Sequence, residues 1–210
     1  MNRPLDALLA HAALWRARGG AEATPAGLST GWPRLDAELP GRGWPLGTLI
    51  ELLLPTPGCG ELQLLLPALA SLATAAPAVN SGWLLWIAPP HLPYAPALAQ
   101  AGITPERLLL VAAERSADRL WATEEALRSG RCAAVLAWLD DVDDRWLRRL
   151  KLAAETGQSL AVLLRPLRRA ATASAATLRL ALEPTPQGLD LRLLKSRGRG
   201  PTRVCGALSS

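Results

Sequence analysis

Several residue types are scarce in this chain of 210 residues, and the scarcity excludes whole classes of protein. Three cysteines and two histidines provide neither a disulfide framework nor a metal-ligand cluster. The longest apolar stretch, residues 62–79, is interrupted by Gln63 and Pro67, and the N-terminal one contains Asp6 and His11 without a signal-peptide pattern. The sequence therefore predicts a cytoplasmic protein with no membrane segment, no metal and no cofactor.

Acidic side chains are scarce in the last third of the chain. Residues 145–210 carry 13 basic and 3 acidic side chains, whereas residues 1–144 carry 10 basic and 15 acidic ones. The last third is therefore strongly cationic, although the whole chain carries only +5. This asymmetry predicts an anionic partner. Half of all residues are hydrophobic, which is enough for a buried core and excludes a disordered tail or a fibrous protein.

Helical and strand patterns alternate along most of the chain. Apolar runs of strand length are predicted at residues 48–54, 83–88, 108–112, 133–139 and 160–164. Helical segments separate them, which is typical of a parallel sheet covered on both faces. Beyond these strands, residues 177–182 and 189–194 flank a Pro- and Gly-containing turn and predict an antiparallel hairpin.

The N-terminus reads as a helix detached from this core. Its apolar residues recur at helical spacing and are candidates for self-association or partner binding: Leu5, Leu8, Leu9, Ala12 and Trp15. The predicted division of the chain is an N-terminal helix at 1–20, a linker and lead-in to the core at 21–47, the core at 48–195, and a basic flexible tail at 196–210.

The segment between the first strand and the next helix occupies the place of a phosphate-binding loop. It reads Pro55, Thr56, Pro57, Gly58, Cys59, Gly60 and Glu61. A working loop has Lys and then Ser or Thr after its last glycine, but here Glu61 and a leucine follow. At about 4 Å and an effective dielectric near 20, exchanging a cation for this carboxylate shifts the interaction with a phosphate by several kcal/mol. The sequence therefore predicts a degenerate loop and no ATPase activity, with His91 an ordinary loop residue.

Two glycine-rich stretches, residues 27–36 and 40–51, resemble the beginning of a RecA-type core. Residues 86–103, together with Leu14, Trp15 and Arg16 and the missing lysine, look like ImuA, a RecA-related family of bacterial mutagenesis cassettes that is also linked to the division inhibitor SulA. This resemblance implies an α/β fold with a RecA-like core. It also implies a non-catalytic role in SOS mutagenesis and translesion DNA synthesis, with ImuB, an error-prone polymerase and RecA as partners.

The cationic third supplies two sets of candidate binding residues. Arg165, Arg168 and Arg169 lie where the resemblance places a DNA-contacting loop, and predict weak contact with DNA phosphates that is indifferent to sequence. Neighbouring aspartates at 140, 141, 143 and 144 are expected to form a turn and a helix cap rather than a metal site. The second set predicts capture of an acidic protein partner: Arg192, Lys195, Arg197, Arg199 and Arg203.

Three alternatives to the ImuA-like scaffold stay open. The chain could be an unusual ATPase, although Glu61 disfavours this function. It could be a SulA-like inhibitor of cell division that acts on the tubulin-like ring protein. It could also be an adaptor without nucleic-acid contact, which leaves the cationic last third unexplained.

Overall fold

An eight-stranded mixed sheet with helices on both faces is the framework of the protein in a computed structural model. The structure describes residues 25–74, 82–198 and 200–206. The strands are β1 (Thr48–Leu54), β2 (Trp83–Ile87), β3 (Leu108–Val111), β4 (Cys132–Trp138), β5 (Leu160–Pro166), β6 (Leu178–Thr185), β7 (Gly188–Lys195) and β8 (Thr202–Val204). The described helices are α1 (Pro33–Glu38), α2 (Glu61–Thr74), α3 (Ala95–Gln100), α4 (Ser116–Arg128) and α5 (Asp144–Gly157), with short 3₁₀ turns at Pro40–Arg42, Pro105–Arg107 and Leu167–Ala171.

The strand order is β3-β2-β4-β5-β1-β6-β7-β8. All neighbours from β3 to β6 run parallel, whereas β6 with β7 and β7 with β8 are antiparallel. Strands β1 to β5 therefore end at the same edge of the sheet. The loops that follow these strands meet there, which is where α/β proteins commonly place their binding sites.

Two apolar layers hold the sheet between the helices. Because side chains alternate along a strand, Ile50 and Leu52 of β1 pack with α2, while Leu49 joins the layer under α4 and α5. Helix α5 is strongly amphipathic, with Leu147 and Leu150 buried. Its N-terminus is capped by Asp143, whose side chain accepts a hydrogen bond from the amide of Trp146 at 2.7 Å. This cap is the role that the sequence predicts for the aspartate run.

The segment predicted as a linker and lead-in to the core is part of the packed structure from residue 25 onward. Leu28 pairs with Trp44 in an antiparallel bridge, and Leu35 of α1 and Trp44 are completely buried. The predicted N-terminal helix, with Leu5, Leu8, Leu9, Ala12 and Trp15, lies outside the described residues.

The prediction of a flexible tail from residue 196 missed β8. Residues Thr202–Val204 form this strand and pair with β7, and the Val204 side chain is buried in the core. The basic composition suggested an unstructured arm, but this segment pairs with β7 and places Val204 opposite Leu191.

Candidate functional site

A cavity of about 830 Å³ lies at the edge where strands β1 to β5 end. Its walls are mostly apolar and come from the ends of these strands and the loops after them. The apolar lining consists of Leu54, Pro55, Pro57, Ala88, Pro89, Pro90, Leu92, Leu110, Val111, Ala112, Ala113, Trp138, Leu139, Leu164 and Pro166. The charged side chains in the lining are Glu114, Arg119, Asp140, Arg165 and Arg168. The sequence predicts five strand ends here, but does not show that their loops enclose an apolar space.

The loop from Pro55 to Glu61 lines this cavity with its first three residues and is closed by its own carboxylate. Glu61 is buried, and its Oε1 atom accepts a hydrogen bond from the Gly58 amide at 2.7 Å. A carboxylate in the first turn of α2 also stabilises the positive end of the helix dipole. The amide and the helix end that would face a phosphate are thus occupied by Glu61.

Cys59 lies in the same loop and has an altered acidity. Burial raises the pKa of its thiol to about 11, and the nearby charge of Glu61 adds to the effect. The thiol is therefore protonated at neutral pH and is a poor nucleophile.

A buried cluster of one glutamate and two arginines, which we call the Glu51 triad, lies beneath the cavity. Glu51 is completely buried in the middle of β1. Its Oε1 accepts a hydrogen bond from Nη1 of Arg165 on β5 at 2.6 Å, and its Oε2 accepts one from Nε of Arg179 on β6 at 2.7 Å. Arg179 also donates to the backbone carbonyls of Arg169 (2.8 Å) and Thr172 (3.0 Å), so the triad anchors the segment after β5.

The prediction that Arg165 contacts DNA is wrong, because this side chain is buried and used by Glu51. A charge in the middle of an apolar strand, as in the run Thr48–Leu54, requires a buried partner. In the sequence Glu51 is flanked by isoleucine and leucines. The need for a buried partner could therefore have been predicted from the sequence, although the partner itself could not.

Arg168 and Arg169 lie at the surface but are paired with carboxylates. Arg168 forms an ion pair with Asp140, and Arg169 forms one with Asp141 at 2.6 Å. The two arginines and two aspartates carry no net charge together, so the local excess of positive charge on which the DNA prediction rested is absent.

The candidate partner-binding arginines lie mainly on the β6–β8 end of the sheet. Arg192 and Arg203 share Glu183, at 3.1 Å each, and Arg203 also pairs with Asp190 at 3.2 Å. The Lys195 ammonium donates to the Ser174 carbonyl at 2.8 Å, and Arg197 is exposed. Arg199 lies outside the described residues. Their capture of an acidic protein stays a prediction.

Large apolar side chains are exposed beside the cavity. Leu92 and Tyr94, in the loop between β2 and α3, are 86% and 73% exposed. Leu110 on the edge strand β3 is 42% exposed. Sequence reasoning missed these residues because an apolar side chain in a Pro-rich loop looks the same whether it is buried or exposed.

Groups of three or more His, Cys, Asp or Glu side chains that could hold a metal do not occur in the described part of the chain. Within the same residues, every helix is too short or too polar to cross a membrane. The cavity thus combines mostly apolar walls with a few charged side chains, of which Arg168 and Asp140 pair with each other, and this arrangement is suited to contact with a protein surface.

Comparison with known proteins identifies the family. The family model for SulA, described as a cell division inhibitor, matches residues 50–161, just over half of the chain. The chain belongs to the SulA family.

The chain is similar to individual SulA proteins. SulA of Serratia proteamaculans is 32% identical over 122 residues, which are 58% of this chain and 70% of that protein. SulA of Pseudomonas aeruginosa is 36% identical over 104 residues, which are 50% of this chain and 63% of that protein. A crystal structure of SulA from Pseudomonas aeruginosa is 33% identical, covers 56% of this chain and 97% of that chain, and superposes with a TM-score of 0.46. Some SulA proteins, including that of Pseudomonas aeruginosa, are matched over less than two thirds of their length.

These matches correct the expectations drawn from the ImuA resemblance. The expected RecA-like core is wrong, since the family model that matches is that of SulA. The expected translesion synthesis role is wrong for the same reason, as are the expected partners ImuB, error-prone polymerase, RecA and DNA. Much of that resemblance lay in the Gly- and Pro-containing stretches 27–36 and 40–51 and in residues 86–103. Glycine and proline are needed at turns in many unrelated α/β proteins.

The same matches bear on catalysis. The family description names an inhibitor rather than an enzyme. The interpretation of residues 55–61 as the remnant of a phosphate loop gains no support from them.

Proposed function

We propose that this protein inhibits cell division in the SOS response by binding the tubulin-like protein of the division ring through the cavity face. The observation that carries the proposal is where the family match lies. Residues 50–161 extend from β1 into β5, and these strands and their loops build the cavity. The shared part of the chain therefore includes most of the surface proposed to bind.

The chemistry of this face favours binding over catalysis. The charged lining includes one ion pair, Arg168 with Asp140, while Arg119 donates to the Ala113 carbonyl. The Cys59 thiol, in the loop next to the cavity, is protonated. Apolar walls next to exposed leucine and tyrosine side chains are typical of the central part of a protein interface. A nucleic acid would instead require unpaired cations along a track.

Expression in cells without DNA damage tests the proposal. The full chain should produce filaments of undivided cells, while replication and chromosome segregation continue. In vitro, the purified protein should slow GTP-dependent polymerisation of the ring protein, as measured by light scattering. Normal division at a verified high level of folded protein would contradict the proposal.

A variant aimed at the cavity supplies the matched comparison. Ala112→Trp adds a large side chain to the cavity wall at an exposed position and should abolish filamentation. Leu152→Trp, at a 62% exposed position on α5, should filament cells as the wild type does. Equal activity of the two variants would move the binding surface away from the cavity.

A further inference from the structure

The loop from Ala88 to Tyr94 contains no Asp, Glu, Lys or Arg and projects two large side chains into solvent. Leu92 is the most exposed large hydrophobic residue among those that the structure describes, and Tyr94 is next. Isolated exposed leucines are ordinary at protein surfaces, but these two belong to one short loop at the rim of the largest described cavity.

This loop is held in shape at both ends. The Ala88 amide donates to the Val111 carbonyl on β3 at 2.8 Å, and the Tyr94 carbonyl accepts from the amides of Ala97 (3.0 Å) and Leu98 (3.3 Å) in α3. Leu98 is itself buried in the core. The exposed side chains therefore stand on a segment that is anchored on a strand and on a helix.

The backbone of the loop is also restricted by its composition. Proline fixes φ, and three of the seven residues are prolines: Pro89, Pro90 and Pro93. Ala88 has a φ of 50°, in the left-handed region that non-glycine residues rarely adopt. Such strain persists only where surrounding contacts enforce it, and it is concentrated at functional sites. A loop that is already ordered loses little conformational entropy when it binds.

From these observations we propose that Leu92 and Tyr94 are the anchor residues that insert into an apolar groove of the division-ring protein. The inference rests on the proposed function and assigns it to two side chains. The part of the partner groove that receives this loop is apolar, because the loop from Ala88 to Tyr94 has no Asp, Glu, Lys or Arg to pair with. The tyrosine hydroxyl calls for one hydrogen-bonding group at the end of that groove.

Binding measurements on the full chain and the purified ring protein test this assignment. Aspartate in place of both residues, Leu92→Asp with Tyr94→Asp, should weaken binding at least about tenfold, because it puts charge into an apolar groove. Leu152→Asp is the matched control, since Leu152 is a similarly exposed leucine on α5. This control should bind within about twofold of the wild type, as expected for a substitution outside the interface. Thermal unfolding midpoints of all three proteins should agree, because both loop side chains are exposed.

The outcomes separate the anchor assignment from the proposed function. A wild type that does not bind the ring protein overturns the proposed function. A wild type that binds, with loop variants that bind as tightly as Leu152→Asp, overturns the anchor assignment alone. Loss of self-association in the loop variants, with unchanged binding to the ring protein, would assign the loop to contact between two copies and also overturn it.

The rigidity of the loop has its own test. Pro90→Gly leaves both anchors in place but restores freedom to the backbone, so affinity should fall by about threefold to tenfold. Pro25→Gly, a change of the same kind at an exposed position remote from this loop in the chain, is the control. Wild-type affinity of Pro90→Gly would show that the loop gains nothing from being preformed.

Discussion

Arg165 and Arg168 are three residues apart, yet they occupy opposite environments. Arg165 is buried and neutralises Glu51 in the interior of the sheet, whereas Arg168 is exposed and pairs with Asp140 at the surface. In the sequence both are simply arginines after an apolar strand. The comparison teaches that a count of charges does not identify a binding surface, because the partner of each charge depends on the sheet.

The largest expected effect comes from removing Glu51, the carboxylate of the buried Glu51 triad. Glu51→Ala leaves Arg165 and Arg179 buried without their carboxylate, which should reduce the free energy of unfolding by about 3–5 kcal/mol. Urea denaturation followed by circular dichroism measures this loss. If Glu51→Ala were as stable as the wild type, the contrast between the buried Arg165 and the exposed Arg168 would not hold, since the interior would then tolerate two unpaired cations.

Replacing all three residues of the Glu51 triad is a second test of the buried charges. The triple variant Glu51→Leu, Arg165→Met and Arg179→Met removes all three charges and fills their place with apolar atoms. It should be more stable than Glu51→Ala, because desolvation of the charges is no longer required. If the segment after β5 is held by Arg179, the triple variant should nevertheless expose residues 167–172 to proteolysis, because the bonds to the carbonyls of Arg169 and Thr172 are lost.

The next effect concerns Glu61, a buried acid with a backbone partner. Glu61→Ala leaves the Gly58 amide without an acceptor and removes the favourable charge at the start of α2, so stability should fall by about 1–3 kcal/mol. Glu61→Gln keeps an acceptor and should lose less. Chemical denaturation of both variants checks the order, and an alanine variant more stable than the glutamine variant would contradict the hydrogen-bonding role.

The local elements could largely be predicted from the sequence. Apolar runs locate β1 at residues 48–54 and the hairpin β6–β7 around its proline turn, since strand and turn preferences act over a few residues. The aspartates before α5 likewise predict a helix cap, and Asp143 forms this cap.

Contacts between distant residues could not be predicted in the same way. Glu51 meets partners 114 and 128 positions later in the chain, and only the order of strands brings β1 between β5 and β6. The exposed state of Leu92 and Tyr94 depends on what covers the loop, which composition does not reveal. Family resemblance also failed where it rested on Gly- and Pro-containing stretches such as residues 27–36 and 40–51, because such residues report backbone geometry rather than ancestry.

A smaller effect on stability is expected for the exposed ion pair of Arg168 and Asp140. Asp140→Ala removes the partner of Arg168, but both side chains are more than half exposed, so stability should change by less than about 1 kcal/mol. Denaturation of this variant beside Glu51→Ala makes the comparison direct. A loss as large as that of Glu51→Ala would mean that water does not screen the surface pair.

The last effect is a difference in chemical reactivity and concerns the thiols. Cys59 is partly buried beside Glu61, and Cys205 is exposed. Because only the thiolate reacts, an alkylating reagent at pH 7–8 should modify Cys205 first and Cys59 slowly, as peptide mass spectrometry can record. The Cys59 rate should rise with pH up to about 11, and Glu61→Gln should move this rise to lower pH, because it removes the Glu61 charge, which is one of the causes that raise this pKa. The pKa of Cys59 is higher in the folded state than its ordinary value of 9.0. The unfolded chain therefore loses this proton first, and the free energy of unfolding falls as the pH increases from 9 towards 11. Equal rates for the two cysteines at pH 7 would show that the loop opens to solvent and that Glu61 does not keep it closed.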